Sequence, residues 1–139
     1  MTMPMALEEA AEVPLRRRVV ARPVVAAALL LERMSPRRMR RVLLAARWGA
    51  RPASQEQAMA ARQAVVAVSV RCAGQGCLPR SLAVVLLCRL WGVWPDWCTG
   101  VRTEPFRAHA WVEADGAPVG EQDEMRLFHK TMTVPARRR

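Results

Sequence analysis

The sequence predicts an α+β fold, with N-terminal helices packed on a small antiparallel sheet. From Val24 to Leu90 the apolar residues recur at helical spacing, and from Trp97 onward they alternate. Helices first and strands second favour segregated layers over a parallel sheet. The 139 residues suffice for one core.

Residues 1–20 read as a flexible, polar and Pro-broken segment ending in Arg16-Arg17-Arg18. A single domain is expected over 21–132, followed by a basic tail over 133–139. Val24 to Met34 predicts a short apolar helix. Ser35-Pro36 restarts the chain as N-cap and first helical residue. The helix that follows, to about Arg47, has a basic face (Arg37, Arg38, Arg40, Arg41) and an apolar one (Met39, Val42, Leu43, Ala46).

Gly49 to Ala53 reads as a loop. Ser54 and Gln57 form a capping box that opens a helix to about Arg71, buried along Ala58, Ala61, Val65, Val68 and Cys72. Gly74 and Gly76 break it. The next helix runs from about Cys77 to Leu90 and stops at Gly92. Strands are predicted over Trp97–Arg102, Ala108–Ala114 and Ala117–Glu121, with Met125–Met132 as a last one. Asp115-Gly116 makes the central turn.

The formal charge is +10, from 22 basic and 12 acidic residues. It suggests an acidic partner, yet Lys130 is the only lysine, and an Arg- and Ala-rich genome bias explains it nearly as well. A basic nucleic-acid-binding module is one alternative reading, but no aromatics interleave the Arg clusters, so nucleic acid is not an expected partner. No apolar run spans a bilayer, and no secretory signal is seen. A cytoplasmic chain without membrane insertion is therefore expected, with its four cysteines reduced. Their spacing offers neither a zinc site nor a disulfide framework, and no metal or cofactor is expected. Cys72, Cys88 and Cys98 lie in apolar stretches and read as small hydrophobes.

Cys77 differs. Pro79 fits only a first helical turn, so the Cys77 sulfur sits beside unpaired N–H groups and the positive end of the helix dipole. That position favours the thiolate, and the same N–H groups suit an oxyanion. Gly74 and Gly76 would let a substrate backbone approach. In the strand AHAWVEA, His109 shares a face with Trp111 and Glu113, opposite Ala108, Ala110, Val112 and Ala114. His109 is the candidate base.

A base needs an orienting carboxylate. A three-residue loop, Ala114-Asp115-Gly116, would place Glu121 directly opposite His109. A two-residue loop would place Gln122 there and turn Glu121 away. The chemistry favours the three-residue loop. Asp123 needs a different register again.

The stretches CLPRSLAVVLLCRLWG and GVRTEPFRAHAWVEADGAPVGE closely resemble the leader peptidases of lasso-peptide biosynthesis, in the transglutaminase-like cysteine protease group. The resemblance runs from about Ala21 to Phe128. It implies a transglutaminase- or papain-like core with Cys77 as nucleophile and His109 as base. The third residue, usually Asp, falls on Glu121, with Asp123 in reserve. Such enzymes cut the leader from a ribosomally made precursor peptide, which usually carries Thr at the second-to-last leader position. An ATP-dependent lasso cyclase then joins the freed amine to an Asp or Glu side chain. No leader-recognition domain fits before the helices, so a separate leader-binding protein is the expected partner. A transglutaminase-like acyltransferase is the other reading of the same triad.

Of the remaining side chains, Gln75 reads as exposed. Trp91, Trp94 and Trp97 read as packing residues, and Trp111 as either packing or a wall of the site. Phe106 reads equally as core anchor or groove. His129 has no partner in the sequence.

Overall fold

The computed structural model describes residues 12–121 and 125–137. Helix α1 spans Leu15–Leu31 and so begins inside the segment expected to be loose. Its buried stripe of Ala21, Val24, Val25, Ala28 and Leu31 accounts for the part from Ala21 onward, whereas the first turns, Leu15 to Val20, lie mostly exposed. Pro23 lies within it; a helix-interior Pro costs about 3 kcal/mol. Burial of Val24, Val25 and Leu31 offsets this at roughly 1.5–3 kcal/mol each.

Helix α2, Pro36–Ala46, starts as expected, with the Ser35 hydroxyl accepting from the Arg38 N–H. Met39 and Leu43 are buried, and its arginines face solvent. Strand β1, Arg51–Pro52, lies in the expected loop and pairs in parallel with β2, Val93–Trp94.

Helix α3, Gln55–Val68, carries the capping box complete in both directions. It ends before Arg71 because Ser69 takes an extended conformation and caps a separate short helix, α4 (Val70–Ala73), through the Cys72 N–H. Helix α5, Cys77–Leu90, is buried through most of its length and packs against α1 and α3. No helix among the described residues is long and apolar enough to cross a membrane.

The main sheet comprises β3 (Asp96–Arg102), β4 (Arg107–Ala114), β5 (Ala117–Pro118) and β6 (His129–Val134). It is antiparallel throughout, in the order β5-β4-β3-β6. Trp97, Val112, Ala114 and Val134 on one face join the helices in the main core. Cys98, Trp111 and Phe128 form a separate cluster. The last strand starts later than expected, after a 3-10 turn at Met125–Leu127. It runs past 132, and the supposed tail is partly structural: Ala136 is buried, and its N–H donates to Asp96 Oδ1 at 2.7 Å.

The turn after β4 contradicts the three-residue loop. Glu113 pairs with Pro118 and Ala114 with Ala117, leaving only Asp115 and Gly116 between the strands. Their φ angles of 53° and 77° put both in the left-handed region. This geometry matches strand twist and suits an Asp-Gly pair. The turn is also tied to the start of α3. Asp115 Oδ2 accepts from the Gln55 N–H at 3.0 Å, and Gln55 Nε2 donates to Ala114 O and Ala117 O.

Candidate active site

By that register Glu121 should turn away from His109, yet its carboxylate is hydrogen-bonded to His109 Nε2. The ladder stops early. After Pro118 one further bond forms, from the Val119 N–H to Val112 O at 3.0 Å. Gly120, with φ of 67°, then turns the chain out of register. The bend, not the loop length, delivers Glu121. Asp123, the reserve residue, lies outside the described residues.

The same short β5 leaves part of one edge of β4 open. Val112 presents its carbonyl to that edge, and Ala110, two residues earlier, presents its N–H there. The start of α5 fills the gap and brings the Cys77 sulfur toward the Ala110 N–H and the His109 ring, both of which favour its thiolate. With Nε2 held by Glu121, Nδ1 is the ring nitrogen left for the thiol. Thiol, imidazole and carboxylate thus stand in series.

Several contacts fix the α5 start. The Trp97 Nε1–H donates to Ser81 Oγ at 3.0 Å, pinning the helix to β3. Arg80, buried, donates from Nη1 to Cys72 O at 2.9 Å and Gly74 O at 3.0 Å. Gly76 does not open a path for substrate as expected. A Cβ there would lie 2.5 Å from the Arg71 carbonyl oxygen, so the chain itself fills that side. The Cys77 N–H bonds Gln75 O, and the Arg80 N–H bonds Gly76 O. Pro79 has no N–H. Leu78 therefore supplies the N–H at the helix start that these backbone bonds leave for an oxyanion.

His109 is held on its faces as well. Trp111 stacks on it with centroids 5.9 Å apart, and Phe128 lies at 5.7 Å. The Trp111 Nε1–H donates to Glu113 Oε2, and Glu113 also pairs with Lys130. Trp111 is both packed and a wall of the site. Gly100 lies across the ladder from His109. A Cβ on it would meet His129 O at 2.6 Å and the Trp111 ring at 2.9 Å. Gly100→Ala is expected to cost roughly 1–3 kcal/mol, read as a lower thermal unfolding midpoint.

The four cysteines separate by environment. Burial pushes the Cys88 and Cys98 thiols up to about 12, and raises Cys72. Burial also acts upward on Cys77, but its net shift is downward. The hydrogen bonds from His109 and Ala110, with the charges of His109 and Arg80, outweigh desolvation. His109 is raised to about 9: burial opposes its charge, but the bonds to Cys77 and Glu121 prevail. Glu121 is held below the usual carboxylate range. Desolvation is overcome by the His109 bond and by the charges of His109, Arg62 and Arg80. The net shifts of Cys77, His109 and Glu121 favour a thiolate–imidazolium pair backed by an ionised carboxylate.

Two residues of the site were not singled out in the sequence. Arg62, buried on α3, pairs through Nη1 with Glu121 Oε2 at 3.1 Å. Arg80 bears electrostatically on both Cys77 and Glu121. A signal existed for each. Arg62 shares a helix face with Ala58 and Val65, and Arg80 follows Cys77 by one turn. Of the others, Trp94 and Trp97 are fully buried, whereas Gln75, Phe106 and His129 are exposed.

The protein is an α+β protein with a half-buried thiol at a helix start, facing a histidine on an antiparallel sheet. The chain belongs to the transglutaminase-like superfamily, whose family model matches residues 21–133. Membership of that superfamily points to cysteine protease or acyltransferase activity. No curated protein and no solved structure matches the chain.

Proposed function

We propose that this chain is a cysteine peptidase that removes the leader from a ribosomally made lasso-peptide precursor. The observation that carries the chemistry is the series Cys77–His109–Glu121, with the thiol shifted down and the imidazole up. The choice of substrate rests on the resemblance of the segments around Cys77 and His109 to lasso leader peptidases. A separate leader-binding protein would present the precursor, and an ATP-dependent cyclase would consume the freed core amine.

In the proposed mechanism the Cys77 thiolate attacks the carbonyl carbon of the last leader residue. The Leu78 N–H stabilises the oxyanion. His109, as imidazolium, gives its proton to the departing core amine as the C–N bond breaks and a thioester remains. Neutral His109 then takes a proton from water, whose oxygen attacks the thioester. Leader acid leaves, and the proton returns the pair to its starting state. Glu121 holds the ring and offsets its charge throughout.

The test is incubation of a lasso precursor with the chain and a leader-binding protein, followed by mass analysis. Free leader acid and an intact core amine are expected. A leader conjugated to an added amine, without free acid, would instead indicate acyl transfer.

The pH dependence follows from the two shifts. Below the lowered Cys77 pKa the sulfur is protonated, and attack is lost. Above about 9 His109 loses the proton it must donate. Cleavage rate against pH should therefore be bell-shaped, with its alkaline limb near 9.

A further inference from the structure

We infer that Arg62 is a positioning residue for this site, acting through Glu121, and that Gly120 is the residue that admits it. The inference rests on the reading of Cys77, His109 and Glu121 as a working triad.

Glu121 reaches His109 from a bend, with no ladder hydrogen bond to it among the described residues. Its side chain is only 4 % exposed. A carboxyl buried that deeply takes a proton unless cations face it, and a neutral carboxyl would not support an imidazolium. Among the described residues, the charged groups bearing on it are His109 from β4, Arg62 from α3 and Arg80 from α5. His109 uses one carboxylate oxygen and Arg62 the other. The carboxylate is thereby fixed at both ends. Along the line Arg62, Glu121, His109, Cys77 the charges alternate in sign, and each end balances the other.

Gly120 serves two purposes. Its φ of 67° makes the bend, and its missing side chain makes room. A Cβ there would stand 2.5 Å from both Cδ and Nε of Arg62. A side chain at 120 would therefore have to push the Arg62 guanidinium arm aside from its present position on Glu121.

The test reads the acid limb of Cys77 alkylation by iodoacetamide, with the modified residue identified by mass spectrometry. It needs no peptide substrate. Removing Arg62 raises the pKa of Glu121 and loosens its hold on His109, and both effects make the Cys77 thiolate harder to form. Arg62→Met should move the acid limb upward by about one pH unit. At a fixed pH on that limb alkylation then slows about tenfold. Arg62→Lys keeps the charge and should leave the limb near its wild-type position. Gly120→Ala keeps Arg62 but displaces it, and should shift the limb as Arg62→Met does.

A uniform loss of alkylation with an unmoved limb, or superimposable profiles, overturns the inference. If Arg62→Met does not fold, Gly120→Ala decides by the same criterion. Should wild-type Cys77 titrate as an ordinary thiol, the triad reading fails and takes this inference with it. A shifted limb in a protein that cuts no precursor leaves the role of Arg62 standing and refutes only the proposed substrate.

Discussion

Replacing Cys77 with alanine should abolish precursor cleavage, with a loss on the order of a millionfold, as for removal of a nucleophile that acts as one unit with its base. The protein should remain folded, because Cys77 is only half-buried and α5 is anchored by Trp97, Ser81 and Arg80. Cys77→Ser should be nearly as inactive. Its hydroxyl titrates far above a thiol, and the bonds from His109 and Ala110 cannot close that gap. The check is single-turnover cleavage followed by mass spectrometry, with circular dichroism to verify the fold. Undiminished cleavage by Cys77→Ala would remove the sulfur from the mechanism.

His109→Ala should have an effect of similar size, for two reasons. The leaving amine loses its proton donor, and Cys77 loses the largest of the influences that lower its pKa. The variant should differ from Cys77→Ala in one respect. Its thiol is still present, and burial, no longer opposed by His109, should push it toward the range of Cys72. Alkylation of Cys77 at neutral pH should slow accordingly. Because the two residues act together, the double variant should be no worse than either single one.

Much of this site was legible in the sequence because it depends on local rules. Pro79 limits where a helix can start and so places Cys77. The alternation of β4 puts His109 on the side of Trp111, away from Val112 and Ala114. Ser54 and Gln57, and Ser35 with Pro36, mark helix starts that the structure reproduces.

The misreadings have physical causes of another kind. Local turn chemistry favours the two-residue turn, whereas the three-residue loop follows only from the wish to set a carboxylate opposite His109. Glu121 instead reaches His109 by a glycine bend that strand periodicity does not encode. Helix α1 starts before the expected Val24, and burial of Ala21 and Val24 on either side carries it through Pro23. Arg62 was passed over because a helical period identifies a buried face but not the charge that a distant segment will bring to it. Glu121 lies 59 positions away in the chain.

The central claim is that Cys77 and His109 carry out hydrolysis of a peptide bond at the leader's end. The most direct measurement is precursor cleavage in heavy-oxygen water with the leader-binding protein present. One heavy oxygen in the carboxylate of the released leader, and none in the core, is the expected result. A leader released without label, or label incorporated equally by Cys77→Ala, would contradict it.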